Sequence, residues 1–232
     1  VHPVCVESVA WISEQKNTLS LCFYLLSALA YLRFDRKRRW TSYALAFGAF
    51  LLALGTKSVT ANLPAALLVM LWWRRGPVDW RRDVVPLLPW FVSAVSAGLV
   101  TAWVERDRLG ATGALFALSG CERVLLAGRV VWFYLGKLVW PADLMFFYPR
   151  WNVAATVEIG VAAVLATVGA TALLFALRHR SRGLLAGWLL FVGGLFPALG
   201  FFNVYPFKFS YVADHFQYLP SLAMIATMVV GA

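Results

Sequence analysis

"AAVLATVGATALLFAL", residues 162–177, carries no charged side chain. A barrel strand with lipid on one side and a lumen on the other must alternate apolar and polar residues, and this stretch does not. With its flanks it forms an apolar run over 154–177, interrupted only by Glu158 near the start. That exceeds the roughly twenty residues needed to cross a bilayer as a helix. Lipid offers the backbone no hydrogen-bond partners, so a spanning segment must be a helix or part of a closed barrel. The run therefore reads as a membrane helix. The rest of the chain agrees: hydrophobic residues make up 61% and charged residues 14%, against about 25% charged in a soluble domain. Mean hydropathy is +0.72. The fold class expected is all-α, a polytopic helical membrane protein forming a single transmembrane domain over 1–232.

Working outward, "RHRSR" follows directly at 178–182. Two similar basic segments, "RFDRKRRW" at 33–40 and "RRGPVDWRRD" at 74–83, follow other apolar runs. Six spans are expected over 17–33, 42–56, 60–74, 84–103, 154–177 and 183–202, with a seventh over 219–232. The second and third are short and joined by "GTKSVTANLP", which suits a tight hairpin turning near an interface. The three basic loops hold twelve of the twenty-one Lys and Arg residues. Positive charge marks cytoplasmic loops, so all three are expected inside. The net charge of +10 is thereby an orientation signal, and no nucleic-acid partner is expected.

That parity decides the stretch "RVLLAGRVVWFYLGKLVW" at 123–140. A single crossing here would put "RHRSR" outside. Arg123, Arg129 and Lys137 can share a polar flank of a helix, with Leu125, Leu126, Val130, Phe133 and Tyr134 on the other face. An interfacial amphipathic helix over 121–139 is expected, or a re-entrant pair involving 111–119. The outer face then collects the N-terminal stretch, the turn at Lys57, the segment 104–153 and the stretch around Asp214. Expected location is a bacterial inner membrane, with the N-terminal segment and Asp214 periplasmic.

Cys5, Cys22 and Cys121 have no CxxC spacing, so neither a disulfide framework nor a zinc site is indicated; Cys22 is expected to be packed within its span. No cleavable signal peptide is visible. Val1 is not an initiator Met and the chain stops inside "SLAMIATMVVGA", so a piece of a longer protein is expected.

Several groups can carry chemistry. Glu7 and Glu14 are two helical turns apart, so one helix face can hold both, with Ser8 or Ser13 available as a cap. An acid among Val6, Val9 and Trp11 at a membrane interface needs a partner or a task. Lys57 is a lone cation between two short spans, either snorkelling or anchoring a phosphate. "WPADLMFFYPRW", 140–151, is mostly interfacial aromatic material; in it Asp143 can cap a turn and Arg150 can bind an anion. "FSYVADHFQYLP", 209–220, sets Asp214 and His215 beside Tyr211 and Tyr218, with Lys208 just before. The plain alternative there is a helix cap and interface anchor. No metal-ligand spacing, phosphate loop or nucleophile elbow occurs. Residue chemistry alone gives a polar cavity on the outer face and no reaction.

Four stretches, "HPVCVESVAWISEQKNTLS" (2–20), "GTKSVTANLPAALLVMLWW" (55–73), "YLGKLVWPADLMFFYPRW" (134–151) and "NVYPFKFSYVADHFQYLPSLAM" (203–224), occur in this order. Together they resemble bacterial multispan proteins with C-terminal tetratricopeptide repeats. Those are similar to the eukaryotic transmembrane and tetratricopeptide-repeat O-mannosyltransferases. The resemblance covers nearly the whole chain. It implies a class C glycosyltransferase fold (GT-C) that transfers a sugar, mannose among the candidates, from a polyprenyl-phosphate donor to a protein or glycan acceptor on the outer face. It implies an Asp-Asp catalytic motif in a first outer loop that would precede Val1 and a repeat domain after Ala232. Residues 1–232 alone are then expected to be inactive. His2, Pro3, Glu7 and Ser8 would flank the active site, with Asp214, His215 and Tyr218 as their counterpart from the last spans. Some relatives carry Arg at the position of His215, which suits a donor phosphate. Within this stretch of chain Glu7 is the candidate base, His215, Lys57 and Arg150 the candidate phosphate ligands, and His2, Asp214 and Tyr218 the surrounding cavity. The lipid-linked sugar is a substrate, and a divalent metal is left open as cofactor. Membrane lipids are the remaining partner. The alternative function is a non-catalytic membrane scaffold for a repeat domain; a transporter is disfavoured because the span centres lack charge and no internal repeat is visible.

Overall fold

The computed structural model describes residues 2–231. Among them every regular element is helical and there is no strand. Three helical stretches are long and apolar enough to cross a membrane: Ile12–Lys37, Trp80–Asp107 and Ala154–His179. They coincide with the expected spans 17–33, 84–103 and 154–177. The others are shorter. The second expected span is α3, Trp40–Thr56; the third is α4, Leu63–Arg75, of 13 residues. The sixth is α8, Arg182–Leu195, continued by one tight turn to Ala198 and ended before Gly200, which has φ 93°. The seventh is α9, Tyr218–Gly231. The remaining helices are α1 (Val6–Ala10), α2 (Gln15–Lys37), α5 (Leu88–Asp107), α6 (Gly120–Val139) and α7 (Val157–Ala176).

The chain forms two compact units, Ser8–Thr101 and residues 2–7 with 102–231. In the Ser8–Thr101 unit α2 and α3 pack along their length. Ser20, Tyr24, Ser27, Tyr31 and Phe34 recur at alternating four- and three-residue steps on α2, and all are buried. Ala46, Ala49 and Ala53 of α3 are buried as well. Small residues at such a seam let helix backbones approach without any hydrophobic drive from lipid. Ser27 uses that closeness to donate to the Ala46 carbonyl at 2.7 Å. Trp90 closes the end of the seam, stacked on Phe50 at 4.9 Å and edge-on to Tyr31 at 5.3 Å.

In the other unit α6 packs on α7 and α8 on α9. Both pairs rely on glycine. A Cβ on Gly128 would lie 2.7 Å from Val164, and one on Gly160 would lie 2.7 Å from Leu125. Gly194 likewise faces Pro220. Of the α7 residues only Gly160 is buried. The rest of that apolar surface is exposed or half-buried, which fits a helix whose solvent is hydrocarbon.

Helix α6 starts with a capping box, Ser119 accepting from the Glu122 amide while Glu122 accepts from the Ser119 amide. It is amphipathic, and among the helices it is not apolar enough to count as a candidate crossing. Leu126, Val130, Tyr134 and Leu138 form its buried face as expected of an amphipathic helix. Its basic residues do more than form a polar flank. Arg123 donates to the Gly200 carbonyl and to Asn203 Oδ1, each at 2.8 Å. Arg129 reaches Thr156 at 3.0 Å, and Lys137 reaches the Ala142 carbonyl at 2.5 Å. The helix is thus a bar to which three loops are tied.

Two expectations are corrected. Glu7 and Glu14 do not share a helix face: α1 ends at Ala10, and Trp11 is extended at φ −93°, ψ 127°, before helical structure resumes at Ile12. Glu7 belongs to one unit and Glu14 to the other, the boundary falling between Glu7 and Ser8. Cys22 is not packed inside; it sits on an exposed face of α2.

Candidate functional site

The site grows from an irregular stretch pinned by one phenol. Tyr134, buried on α6, donates to the Ala213 carbonyl and accepts from the Ala213 amide, both at 3.1 Å. Ala213 is thereby held extended, at φ −150°, ψ 144°, just before the turn Asp214–Gln217. That geometry turns the Asp214 side chain inward, where the residue is 1% exposed. The plain reading of Asp214 as a helix cap does not hold, because Ala213 is the capping residue and no side chain caps this turn.

A buried carboxylate requires donors. Tyr148 supplies one, with its hydroxyl 3.0 Å from both Asp214 oxygens. The Met145 amide donates to the same hydroxyl at 3.2 Å and so orients it. Tyr148 in turn is fixed edge-on by Phe133 at 4.9 Å and lies under the Lys137 ammonium at 5.2 Å. Lys137 is held by the Ala142 and Asp143 carbonyls, and Asp143 adopts the left-handed conformation, φ 50°, that Asp tolerates better than most residues. Asp143 lies at a bend, and it is its backbone carbonyl that Lys137 engages.

Burial raises the Asp214 carboxyl to about 6; the Tyr148 hydrogen bond opposes that, the Glu7 charge adds to it and Lys137 opposes it. The same burial raises the Tyr148 phenol. Asp214 therefore exchanges a proton near neutral pH, which is the property of a group poised for acid–base work.

His215 does not pair with Asp214. Its Nδ1 lies 3.0 Å from Glu7 Oε2, and both side chains are 16% exposed. When the imidazole is protonated this contact is an ion pair. The Phe216 ring meets His215 edge-on at 4.7 Å. Engagement of Nδ1 by Glu7 leaves Nε2 as the nitrogen available to a ligand. His2 holds the strand of chain that delivers Glu7: its Nε2 donates to the Leu138 carbonyl at 2.9 Å, and its Nδ1 accepts from the Val4 amide. Its role is to anchor this segment to the end of α6.

Arg150 is bound rather than free. It donates to the Tyr211 hydroxyl at 2.7 Å and to the Leu115 carbonyl, with its guanidinium 4.8 Å from the Tyr211 ring centre. Its Nε is buried without a partner among the described residues. Tyr218 is half-buried at the start of α9. Lys57 belongs to the Ser8–Thr101 unit and has its own polar cluster. It donates to Asn17 Oδ1, and Asn17 donates to Ser8 at 2.9 Å and to Glu14 at 2.7 Å. Burial lowers the Lys57 ammonium to about 8, against the pull of the Glu14 charge, with Lys16 pushing the same way as burial. Ser8 is buried as a partner of Asn17 and does not cap the helix start.

The structure thus brings together Glu7, Asp214 and His215, ties His2 to the segment bearing Glu7, and places Lys57 in a separate unit. Sequence reading missed Tyr148, Tyr134 and Lys137. It also missed Gln217, which is fully buried with neither amide atom partnered among the described residues. Its signal was position: a polar residue three after Asp214 in the same tight turn. Among the described residues no three His, Cys, Asp or Glu side chains gather as a metal site. In comparisons with known proteins no family profile, curated protein or solved structure matches this chain. The class defined so far is an all-helical protein with three helices able to cross a membrane and a buried acid–imidazole site in one unit.

Proposed function

We propose that the chain is the membrane domain of a GT-C glycosyltransferase that uses a polyprenyl-phosphate sugar donor and a protein or glycan acceptor. It crosses a bacterial inner membrane six or seven times, with α6 at or re-entering the outer interface and the Asp214 site periplasmic. One observation carries the reading. Residues from three of the four stretches behind the resemblance, 2–20, 134–151 and 203–224, converge: Glu7 on His215 at 3.0 Å and Tyr148 on Asp214 at 3.0 Å. A set of distant, polar, partly buried groups gathered in so apolar a chain is what a reaction on the outer face would need. The basic loops add support for the topology. Arg38 donates to the Arg82 carbonyl at 3.2 Å, so the loops 33–40 and 74–83 share one end of their unit, as the charge parity requires.

In this reading His215, oriented through Nδ1 by Glu7, presents Nε2 to the donor phosphate and stabilises the leaving lipid phosphate. Asp214, with its carboxyl near 6, can accept or return a proton. Glu7 is a positioning residue for His215 and no longer the first choice as base, because its carboxylate is already engaged.

The test is single-turnover sugar transfer in membranes expressing the complete natural reading frame, across a panel of polyprenyl-phosphate sugars. A charge-assisted phosphate contact is worth about 1.5–3 kcal/mol, so His215→Ala should lose roughly ten- to a hundredfold in donor use, while His215→Arg keeps most of it. Asp214→Asn should also lower turnover in a folded protein. Unchanged donor use by folded His215→Ala, or no transfer by the parent with any donor, favours the scaffold reading.

A further inference from the structure

The two basic loops of the Ser8–Thr101 unit do more than carry charge; they are assembled into one surface. Segments 33–39 and 74–83 contain nine cations and three carboxylates. Two of the carboxylates, Asp35 and Asp83, are buried at 5% and 3% exposure. Arg75 bridges them, 3.1 Å from Asp35 and 2.6 Å from Asp83. The third, Asp79, accepts from the Arg82 amide at 2.6 Å and so is turned toward its own backbone. Asp35 and Asp83 are therefore used internally to fasten the loops together. The outward charge without a carboxylate partner is left to Arg33, Arg36, Lys37, Arg39, Arg74 and Arg81, all exposed.

Tryptophans stand beside these cations. Trp40 opens α3, Trp73 lies in the last turn of α4, and Trp80 opens the turn before α5; they are 75%, 49% and 65% exposed. An indole that is bare to water at a helix end is costly. At the headgroup level of a bilayer it buries its ring and hydrates its N–H. Cations without carboxylate partners, next in sequence to such indoles at the ends of apolar helices, fit phosphodiester headgroups.

We propose that this surface is a binding site for anionic phospholipid headgroups, formed by segments 33–40 and 74–82 and fastened by Arg75 with Asp35 and Asp83. The occupant is a glycerophospholipid with net negative charge. Its phosphodiester lies against the exposed cations and its acyl chains run along the apolar faces of α3 and α4. The site stands independently of the glycosyl-transfer reading.

The experiment is native mass spectrometry of the whole purified protein, delipidated and then titrated with phosphatidylglycerol or phosphatidylcholine in detergent. The parent should retain phosphatidylglycerol over phosphatidylcholine. A variant with Arg36, Lys37, Arg39 and Arg81 all changed to Gln keeps the Arg75 fastening. It should lose about tenfold in phosphatidylglycerol retention, since each surface cation near an anionic headgroup changes association by about fivefold and neighbours screen one another. Arg106→Gln/Arg108→Gln, which removes exposed charge elsewhere, should change retention by less than about twofold. An unfolding midpoint matching the parent shows that the quadruple variant is folded; were it misfolded, Arg39→Gln/Arg81→Gln alone should still lose several-fold. Equal retention by parent and patch variants overturns the proposal. So does an equal loss in the Arg106/Arg108 control, or displacement of the lipid by millimolar inorganic phosphate, which would indicate a site for small anions.

Discussion

The two units bury carboxylates in opposite ways. In the Ser8–Thr101 unit Asp35 and Asp83 meet the Arg75 guanidinium, and Asp35 also has Arg38 at 3.2 Å. In the other unit Asp214 has no guanidinium partner among the described residues; it receives one phenol hydroxyl from Tyr148. The first arrangement closes charge on charge and fastens loops. The second leaves a carboxylate whose burial is only partly offset, so its proton affinity rises to about 6. A buried acid answered by full charge is built for holding, and one answered by a neutral donor is built for exchange.

The largest expected effect breaks the holding site. Arg75→Met leaves Asp35 and Asp83 buried together without their shared cation. Removing one partner of a buried pair costs about 3–5 kcal/mol; with Arg75 30% exposed, the lower end is expected. Chemical unfolding of the protein in detergent reads it, and a change below about 1 kcal/mol would mean that Arg75 does not hold the two acids.

The next effect has the opposite sign. Burial raises the Asp214 carboxyl from 3.8 to about 6. The folded protein therefore keeps a proton that the unfolded chain releases between about pH 4 and 6. Stability falls as pH rises across that window and is level above it. At pH 7.5 the buried charge costs on the order of 2–3 kcal/mol. Asp214→Asn should recover most of that at pH 7.5 and nothing at pH 4, while lowering turnover if the proposed role is right. Thermal midpoints at the two pH values decide it: an equal shift at both would mean that packing, not charge, is responsible.

The smallest effect sharpens the comparison. Arg38 is 38% exposed and Asp35 keeps Arg75 when it is lost. Arg38→Gln should therefore cost less than about 1 kcal/mol. A loss as large as that of Arg75→Met would show that the network acts as one unit rather than through its central guanidinium.

Much of the helical layout was legible because it follows from local chemistry. The run 154–177 became a helix, and the amphipathic pattern over 121–139 became α6, Gly120–Val139, since backbone satisfaction in lipid and the 3.6-residue repeat need no knowledge of distant residues. The polar stretches at 2–8 and 209–218 stood out by the same contrast with their apolar neighbours. Partnership was not legible. Asp214 and His215 are adjacent in sequence, yet His215 turned to Glu7, 208 residues away, and Asp214 to Tyr148, 66 away. Adjacent side chains leave a helical turn about 100° apart, so adjacency argues against contact, and no spacing rule joins residues across several helices.

The chain's sequence by itself determined a helical, lipid-compatible architecture, the clustering of basic charge in short loops and the polar character of two segments. Those are set by composition and by periodicity within one segment. Tertiary structure decided that Trp11 separates Glu7 from Glu14, that Lys57 serves a cluster with Asn17 apart from the Asp214 site, and that Tyr134 aims Asp214 inward. Burial, and with it the proton affinity of Asp214, depends on which side chains fill the space around it. That space is enclosed only when α6, the loop before α7 and the segment before α9 come together.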